Sequence, residues 1–283
     1  MIQYTNDTTK EQIRRMWKTV FGDSDAYMDI YFRDKYRNNR TLAYFEGDKA
    51  VASLQMLPYQ FTFCGAEIPV AYFSGICTLP EARNKGYMAQ LLLKSFDELA
   101  QKGIPLAVLV PQEEWLLKVY DKFGFARTFD AGTSELPSLK ALLEQYPGDL
   151  HAAYREFNTW FRQNDMTVQK TFDDFKTIVE EADLFHFPPK KNLLGMARVI
   201  DAGKLLSLFS ARYPSKNFSL TVTDELLPQN NRHYLYGANP VELGNIDIRQ
   251  LTTLLLGYHT AKEDEPLRSL FPEKTPQMHF MLE

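Results

Sequence analysis

The sequence lacks the features that mark several classes of protein. Only two cysteines, Cys64 and Cys77, occur in 283 residues, which is too few for a disulfide framework. No apolar run reaches the roughly 18 residues that a membrane span requires. The first residues also lack the basic region and apolar stretch of a signal peptide. We therefore expect two buried free thiols in a soluble, cytoplasmic protein without a membrane partner.

The charge and the histidines exclude two further classes of site. A net charge of -4 offers no basic surface for binding nucleic acid. The five histidines are scattered, with no metal-ligand spacing among themselves or with the cysteines. No Ser-His-Asp or Cys-His set can be identified either. We therefore expect no nucleic-acid partner and no metal.

The apolar periodicity predicts a chain of mixed α and β structure, and the length suggests two domains. Helical spacing predicts helices over residues 8–21, 27–32, 88–99, 115–123, 150–163, 172–182, 193–209 and 248–256. Alternating or continuous apolar runs predict strands over residues 41–45, 51–63, 70–78 and 106–110, and around 218–222. The strand–helix–strand unit within residues 72–110 implies a right-handed parallel crossover.

The segment between the third of these strands and the following helix is a candidate anion site. Residues 76–88 read ICTLPEARNKGYM, which is a strand end, a short basic loop and a helix start. The first turn of a helix has unpaired backbone N–H groups and favours negative charge. Gly86 lets the backbone approach a phosphate, and Arg83 and Lys85 add charge-assisted contacts. On composition alone, a solvated basic loop is the alternative.

The order of the motifs resembles that of the GNAT N-acetyltransferases. Residues 83–88 look like the pyrophosphate-binding loop of that family, and the pattern Tyr120-x-x-x-Gly124-Phe125 looks like its tyrosine helix. Met88 departs from the pattern, which has a small residue at that position. The opening helices, residues 78–88 and the C-terminal third are similar to the enhanced intracellular survival-type acetyltransferases, in which a GNAT core precedes a sterol-carrier-protein-like domain.

This resemblance implies an α+β (mixed α/β) fold. We expect a GNAT fold, whose mixed central sheet is flanked by helices, and a smaller C-terminal sterol-carrier-protein-like α+β domain. The GNAT acetyl-CoA-binding domain is expected at residues 1–130 and a reduced, mainly helical middle segment at residues 131–189. The sterol-carrier-protein-like domain is expected at residues 190–283. A homo-oligomer is left open.

The resemblance also implies an activity. The expected reaction is transfer of an acetyl group from acetyl-CoA to a primary amine, on a small molecule or a lysine side chain, by direct attack in a ternary complex. Acetyl-CoA is expected to contact the end of one strand and the loop that follows it, namely Ile76, Cys77, Thr78, Arg83, Asn84, Lys85, Gly86, Tyr87 and Met88.

Two catalytic residues follow from the resemblance, Tyr120 and Glu283. Tyr120 would protonate the departing thiolate, because a phenol of pKa about 10 donates only mildly uphill to a thiolate whose acid has a pKa of about 8.5. A packing tyrosine on an apolar helix face is the alternative. The Ile76 N–H would donate to the oxyanion. The base would be the terminal carboxylate of Glu283, which follows an apolar and therefore buried tail, with Glu113 and Glu114 as alternatives.

Two other functions are consistent with the same residues. A non-catalytic acyl-CoA-binding sensor would retain the loop without turning over an acceptor, and the presence of Tyr120 argues against it. A carrier of lipid or another hydrophobic ligand would use the C-terminal domain, whose leucines are equally explained by an ordinary core. An enzyme is therefore the favoured interpretation.

Overall fold

The computed structural model describes residues 1–282 and has a mixed α and β fold, as the sequence predicted. The first part of the chain contains six strands and four helices. These are β1 Ile2–Tyr4, α1 Asp7–Phe21, α2 Asp25–Asp34, β2 Thr41–Glu46, β3 Lys49–Phe63, β4 Ala66–Thr78, α3 Tyr87–Gln101, β5 Leu106–Leu109, α4 Trp115–Asp121 and β6 Ala126–Phe129. The helices and strands predicted in this part are confirmed, with ends that differ by a few residues.

The middle of the chain is mainly helical. It contains α5 Leu139–Gln145, α6 Leu150–Arg162, β7 Thr167–Gln169 and α7 Phe172–Leu184. The two helices predicted here are confirmed. Helix α5 was not predicted, and neither was β7. Its three residues are too few to show a period of their own, and the strand is defined by its pairing with β3.

The last part of the chain contains β8 Gly195–Val199, α8 Ala202–Arg212, β9 Phe218–Thr223, β10 His233–Tyr236, β11 Val241–Asp247, α9 Ile248–Leu256 and α10 Leu267–Leu270. The helix predicted over residues 193–209 is wrong in its first half, which forms β8. A short apolar run is consistent with either a buried strand or a buried helix. Here the run forms a strand because it pairs with β5 and β6.

The large sheet has the strand order β1-β2-β3-β4-β5-β8-β6, and β7 lies beside β3. Strands β4 and β5 are parallel, as predicted for the crossover through α3. Strand β8 lies between β5 and β6 and is antiparallel to both. A segment placed by sequence in the C-terminal domain therefore completes the sheet of the first domain.

Helices cover both faces of the large sheet. On one face, α1 and α2 bury aromatic side chains such as Trp17 and Tyr31, and on the other, α3 buries Leu92 and Phe96. Helix α1 forms here because Asn6 caps its first turn in a capping box, and Gly22 ends it in the left-handed conformation. These layers fix where the ends of β4 and β5 lie.

The C-terminal part forms a second, smaller sheet of order β10-β9-β11. Helices α8 and α9 pack against it through an apolar cluster that includes Phe209, Phe218 and Leu254. Both cysteines are buried free thiols, as expected. No helix within residues 1–282 is both long and apolar enough to cross a membrane.

Candidate active site

The strands β4 and β5 separate at one end of the sheet and leave an opening. They pair in parallel from Val70 with Leu106 to Phe73 with Leu109, where β5 ends. Strand β4 continues to Thr78, so residues 74–78 have no strand on that side within the described residues. Backbone groups along this stretch are therefore available to a bound molecule.

A β-bulge in β4 shapes the opening. The pairing of β3 with β4 shifts between Ser53 with Cys77 and Gln55 with Ser74, so that Gly75 and Ile76 together face a single residue of β3. Gly75 has a φ of +57°, which favours glycine. A bulge bends a strand and redirects its side chains. Gly75 and Ile76 consequently line the opening.

The opening leads into a cavity of about 400 Å³. Its walls are largely apolar and aromatic, and its polar side chains are few. The lining residues come from α1, the loop after it, β4, the segment after β5, α4, the segment before β8 and the chain end, and include Trp17, Phe21, Asp23, Ser74, Ile76, Gln112, Tyr120, Leu194 and Leu282. A second cavity, of about 620 Å³, lies between α2 and α7. Its charged side chains largely pair with one another, and none of the predicted site residues lines it.

Tyr120 lies in the cavity wall and is otherwise buried, with 5% of its surface exposed. Its ring meets that of Phe125 edge-on at a centroid distance of 6.0 Å. Burial raises the pKa of the Tyr120 phenol well above its ordinary value, and the nearby Cys77 thiol adds to the effect. The hydroxyl is therefore protonated at neutral pH and can act as an acid but not as a base.

The basic loop is exposed and leads directly into α3. Arg83, Asn84, Lys85 and Gly86 are all exposed. Asn84 and Gly86 have positive φ values of 62° and 76°. Gly86 is the N-cap of α3 and supplies no side chain, so no side chain caps the first turn. Unpaired N–H groups and the positive end of the helix dipole together suit a phosphate.

Glu46 is the acidic group beside this loop. Its carboxylate accepts a short hydrogen bond from the Tyr87 hydroxyl and lies 2.9 Å from Nζ of Lys85. These contacts hold the pKa of Glu46 below its ordinary value, the Tyr87 hydrogen bond contributing most. The Tyr87 ring stacks on Tyr44 at a centroid distance of 4.0 Å. A phosphate would therefore have to compete with the Glu46 carboxylate for Lys85.

The remaining predicted cofactor contacts differ in their accessibility. The Cys77 thiol is buried, 3.4 Å from the Ser53 hydroxyl, and burial raises its pKa to about 11. Its sulfur is thus unsuited to be a nucleophile at neutral pH. Arg83 donates from Nε to the Thr78 carbonyl at 3.4 Å. Met88 is half-buried and packs against the apolar cluster under α3.

The candidate bases are placed differently. Glu113 and Glu114 are exposed and do not line the cavity, whereas the neighbouring Gln112 does. The tail before Glu283 is buried from Met278 to Leu282, as its apolar sequence predicted. Leu282 lines the cavity. Glu283 itself lies outside the described residues.

Sequence reasoning missed Trp17 and Asp23 as site residues. The Trp17 Nε1 donates to Oδ2 of Asp23 at 2.6 Å, and both side chains line the cavity. The sequence placed Trp17 on a core face and Asp23 in a break between helices. The only available signal was an acidic residue directly after an aromatic helix face. Elsewhere, residues 1–282 contain no group of three or more His, Cys, Asp or Glu side chains placed to hold a metal ion.

Two protein-family profiles match the chain. The profile described as an acetyltransferase (GNAT) domain matches residues 1–128. The profile described as a sterol carrier protein domain matches residues 204–273. No curated protein matches the whole chain or part of it. Both domains predicted from the sequence motifs are therefore confirmed as present.

Several solved structures share the fold over nearly the whole chain. A GCN5-related N-acetyltransferase from Anabaena variabilis is 13% identical with a TM-score of 0.69, and 98% of each chain is covered. A probable N-acyltransferase from Enterococcus faecalis is 14% identical with a TM-score of 0.65, covering 99% of this chain and 98% of that one. Eis1 from Mycobacterium abscessus is 13% identical with a TM-score of 0.62, and 99% of each chain is covered.

These matches agree with the site geometry. The GNAT profile spans the basic loop, the separating strands and Tyr120. The structural neighbours extend the likeness in fold across the middle segment and the second sheet. The chain therefore carries a GNAT acetyltransferase domain over residues 1–128 and a sterol carrier protein domain over residues 204–273.

Proposed function

We propose that the protein transfers an acetyl group from acetyl-CoA to a primary amine by direct attack in a ternary complex. One observation carries the proposal. A cavity lined by Tyr120 and by the bulged end of β4 lies on the same strand–loop–helix unit as an uncapped, basic helix start. Acetyl-CoA needs both features, the cavity for its thioester and the basic helix start for its pyrophosphate.

The cofactor would bind along the end of β4 and the loop that follows. The pyrophosphate would accept hydrogen bonds from the first turn of α3 after Gly86, with Arg83 and Lys85 supplying charge. The pantetheine arm would lie beside residues 76–78, whose open side carries no strand among the described residues. This arrangement would direct the thioester carbonyl toward the cavity.

The chemical step follows from the groups around that carbonyl. The amine nitrogen attacks the carbonyl carbon, and the Ile76 N–H stabilises the oxyanion that forms. When the intermediate collapses, the carbon–sulfur bond breaks and Tyr120 protonates the departing thiolate. An ammonium acceptor must first release one proton to a base, for which we propose the Glu283 carboxylate, since the preceding Leu282 lines the cavity. The second proton, which the nitrogen loses as the amide forms, replaces the one that Tyr120 gives to the thiolate. Positioning both substrates in one site supplies much of the rate.

The cavity favours a small acceptor that carries one amine on an apolar body. Asp23 is the single charged side chain in the cavity lining, and its Oδ2 is fixed by Trp17. Its carboxylate would attract an ammonium group, while Trp17 and Phe21 would pack against the rest of the molecule. A volume of about 400 Å³ is at the lower end for ligand pockets, which favours a small molecule over a bulky one.

Calorimetric titration with acetyl-CoA tests the cofactor site. We expect micromolar binding by the wild-type protein and loss of binding in the Arg83→Glu, Lys85→Glu double variant. The matched control is Lys94→Glu, which reverses a half-exposed charge on α3 away from the loop and should bind normally. Absence of binding by the wild-type protein would exclude the proposal.

Thiol release with a panel of primary amines tests turnover. We expect release with small apolar monoamines, and a lower rate in Asp23→Asn than in the control Asp25→Asn, which alters an exposed residue of α2. Tight cofactor binding without release of thiol for any amine would instead identify a sensor. Removal of residues 282–283 should abolish turnover, and full activity after that deletion would exclude the tail as the source of the base.

A further inference from the structure

Helix α4, which carries Tyr120, is a short element with little support of its own. It has seven residues, and no side chain caps its N-terminus. Its first residue, Trp115, is 62% exposed. Isolated helices shorter than about 12 residues are marginal in water. The position of Tyr120 therefore depends on contacts that other elements make with this helix.

The C-terminal end of α4 is contacted by the first turn of α9. Arg249 donates from Nη1 to Oδ2 of Asp121 at 3.2 Å and to the Asp121 carbonyl at 3.5 Å. Its Nη2 donates to Oδ2 of Asp247 at 3.0 Å, which holds the guanidinium in place. The Asp121 carbonyl also accepts from the Gly124 N–H at 2.9 Å, so the main contribution of Arg249 is its charge, which interacts favourably with the helix dipole. Arg249 thus acts as a cap for the helix that bears Tyr120.

A second arginine lies beneath the turn that follows α4. Arg198 of β8 is fully buried and pairs with Asp224 at 2.9 Å. Its guanidinium fills the space beside Gly124, where a Cβ atom would overlap Nη1. Two of its nitrogens, Nε and Nη1, have no hydrogen-bond partner among the described residues. Burial of an arginine without full hydrogen bonding lowers the stability of the folded protein. Packing alone therefore does not explain why Arg198 is buried here.

Arg198 also contacts the aromatic side chains that support Tyr120. Its guanidinium carbon lies 4.6 Å from the ring centroid of Phe96. The Phe96 ring is 5.9 Å from that of Phe125, which in turn meets Tyr120 at 6.0 Å. A continuous set of contacts therefore links β8 to the proposed acid.

We propose that Arg249 and Arg198 are positioning residues for Tyr120, so that the C-terminal part of the chain holds the tyrosine helix in its catalytic geometry. The role in catalysis rests on the proposed function, whereas the structural role does not. Both arginines follow residue 189, in the part of the chain that the sequence assigned to the other domain. Arg249 and Asp224, the partner of Arg198, lie in the C-terminal domain, whereas Arg198 lies on β8 in the large sheet, so both parts of the chain would support Tyr120.

Hydrogen exchange of the backbone amides in residues 116–125 tests the structural role without any substrate. Arg249→Ala should raise the exchange rate there about two- to fivefold, the size expected for loss of a charge at a helix end. Arg249→Lys should restore part of the protection. The control Arg268→Ala removes an exposed ion pair on α10 and should leave these amides unchanged. Unchanged exchange in Arg249→Ala would overturn the proposal.

Kinetics of the same variants test the catalytic consequence. In Arg249→Ala, kcat should fall while the KM for acetyl-CoA stays constant, because the loop at residues 83–86 is untouched. Asp224→Asn, which keeps the shape of the partner of Arg198, should lower kcat in the same way. If the wild-type protein lacks transferase activity, the proposed function fails and the exchange experiment still decides the positioning role. If wild-type turnover is normal and kcat is unchanged in both variants, the catalytic part of the inference is wrong.

Discussion

The indole ring of Trp17 occupies the space that a side chain on Gly75 would need. A Cβ atom at Gly75 would overlap Cζ3 of Trp17 and lie 2.9 Å from Nε2 of Gln55. The φ of Gly75 is also positive, at 57°. The bulge of β4 and the position of the Trp17 ring in the cavity wall therefore both require glycine at position 75.

Gly75→Ala should consequently destabilise the protein by about 1–3 kcal/mol through strain and overpacking and should lower acetyl transfer. Chemical denaturation and thiol release measure the two effects. Gly103→Ala is the matched control, because Gly103 also has a positive φ, of 65°, but nothing within 4 Å of its Cβ position. Equal losses in both variants would show that the clash with Trp17 contributes nothing.

Tyr120→Phe should reduce kcat by at least about tenfold, since removal of a general acid typically costs more than that, and should leave acetyl-CoA affinity unchanged. Because burial raises the pKa of Tyr120, the wild-type enzyme should show no loss of rate from this group below pH about 10.

Steady-state kinetics and calorimetry measure these two quantities. Tyr4→Phe serves as the control, because it removes a hydroxyl that bonds Glu98 on the far end of α3. Turnover by Tyr120→Phe at the wild-type rate would assign Tyr120 to packing alone.

Glu46→Gln should tighten acetyl-CoA binding by up to about fivefold, the range expected for an exposed ion pair. The carboxylate of Glu46 engages Lys85 and Tyr87 at the loop, and its removal frees Lys85 for the pyrophosphate. The gain should shrink at high salt, because exposed charges are screened. Weaker binding by the variant would indicate that Glu46 orders the loop instead.

Lys170 should make stability depend on pH. It is buried with its Nζ 3.3 Å from Sδ of Met281, and burial lowers its pKa to about 7. The titratable groups around it include Asp174, Lys35, His279 and Tyr59, whose ring centroid lies 5.1 Å from Nζ.

Between pH about 7 and 10 the unfolded chain binds the proton that the folded protein has released, so stability rises with pH by up to about 1.4 kcal/mol per unit. As the pH falls toward 7, this stability is lost. Urea denaturation of wild-type protein and Lys170→Met across this range should show converging curves as pH rises. Parallel curves would contradict the assignment.

The sequence predicted the elements whose period is long enough to be read. The helix at residues 248–256, ended by Gly257, was predicted with the observed bounds, and the β4–α3–β5 crossover was predicted with its parallel pairing. Strands β1, β6, β7, β8, β10 and β11 were missed. All but β11 are three to five residues long, and such short segments are defined by their partners in the sheet. Strand pairing between distant parts of a chain has no local sequence signal.

The site shows the same division. The basic loop and Tyr120 lie on contiguous motifs, so residues 83–88 and 120–125 could be found by inspection. Trp17 and Asp23 lie near one another in the sequence, but they meet Leu194 and Tyr120 only at the cavity. Glu46 beside Lys85 was equally invisible, because 39 residues of chain separate the two. The roles of Tyr120 and of the loop stay predictions.

The position of β8 between β5 and β6 has a consequence for synthesis of the chain on the ribosome. Strand β6 pairs with β8 alone in the large sheet, so residues 126–129 have no sheet partner until residues 195–199 have left the exit tunnel. During that interval β5 presents an unpaired edge, which is a site of aggregation. A gene shortened after residue 189 would leave the edge of β5 unpaired permanently. In the full chain, we expect folding during translation to depend on chaperones, because β8 is made long after the strands it pairs with.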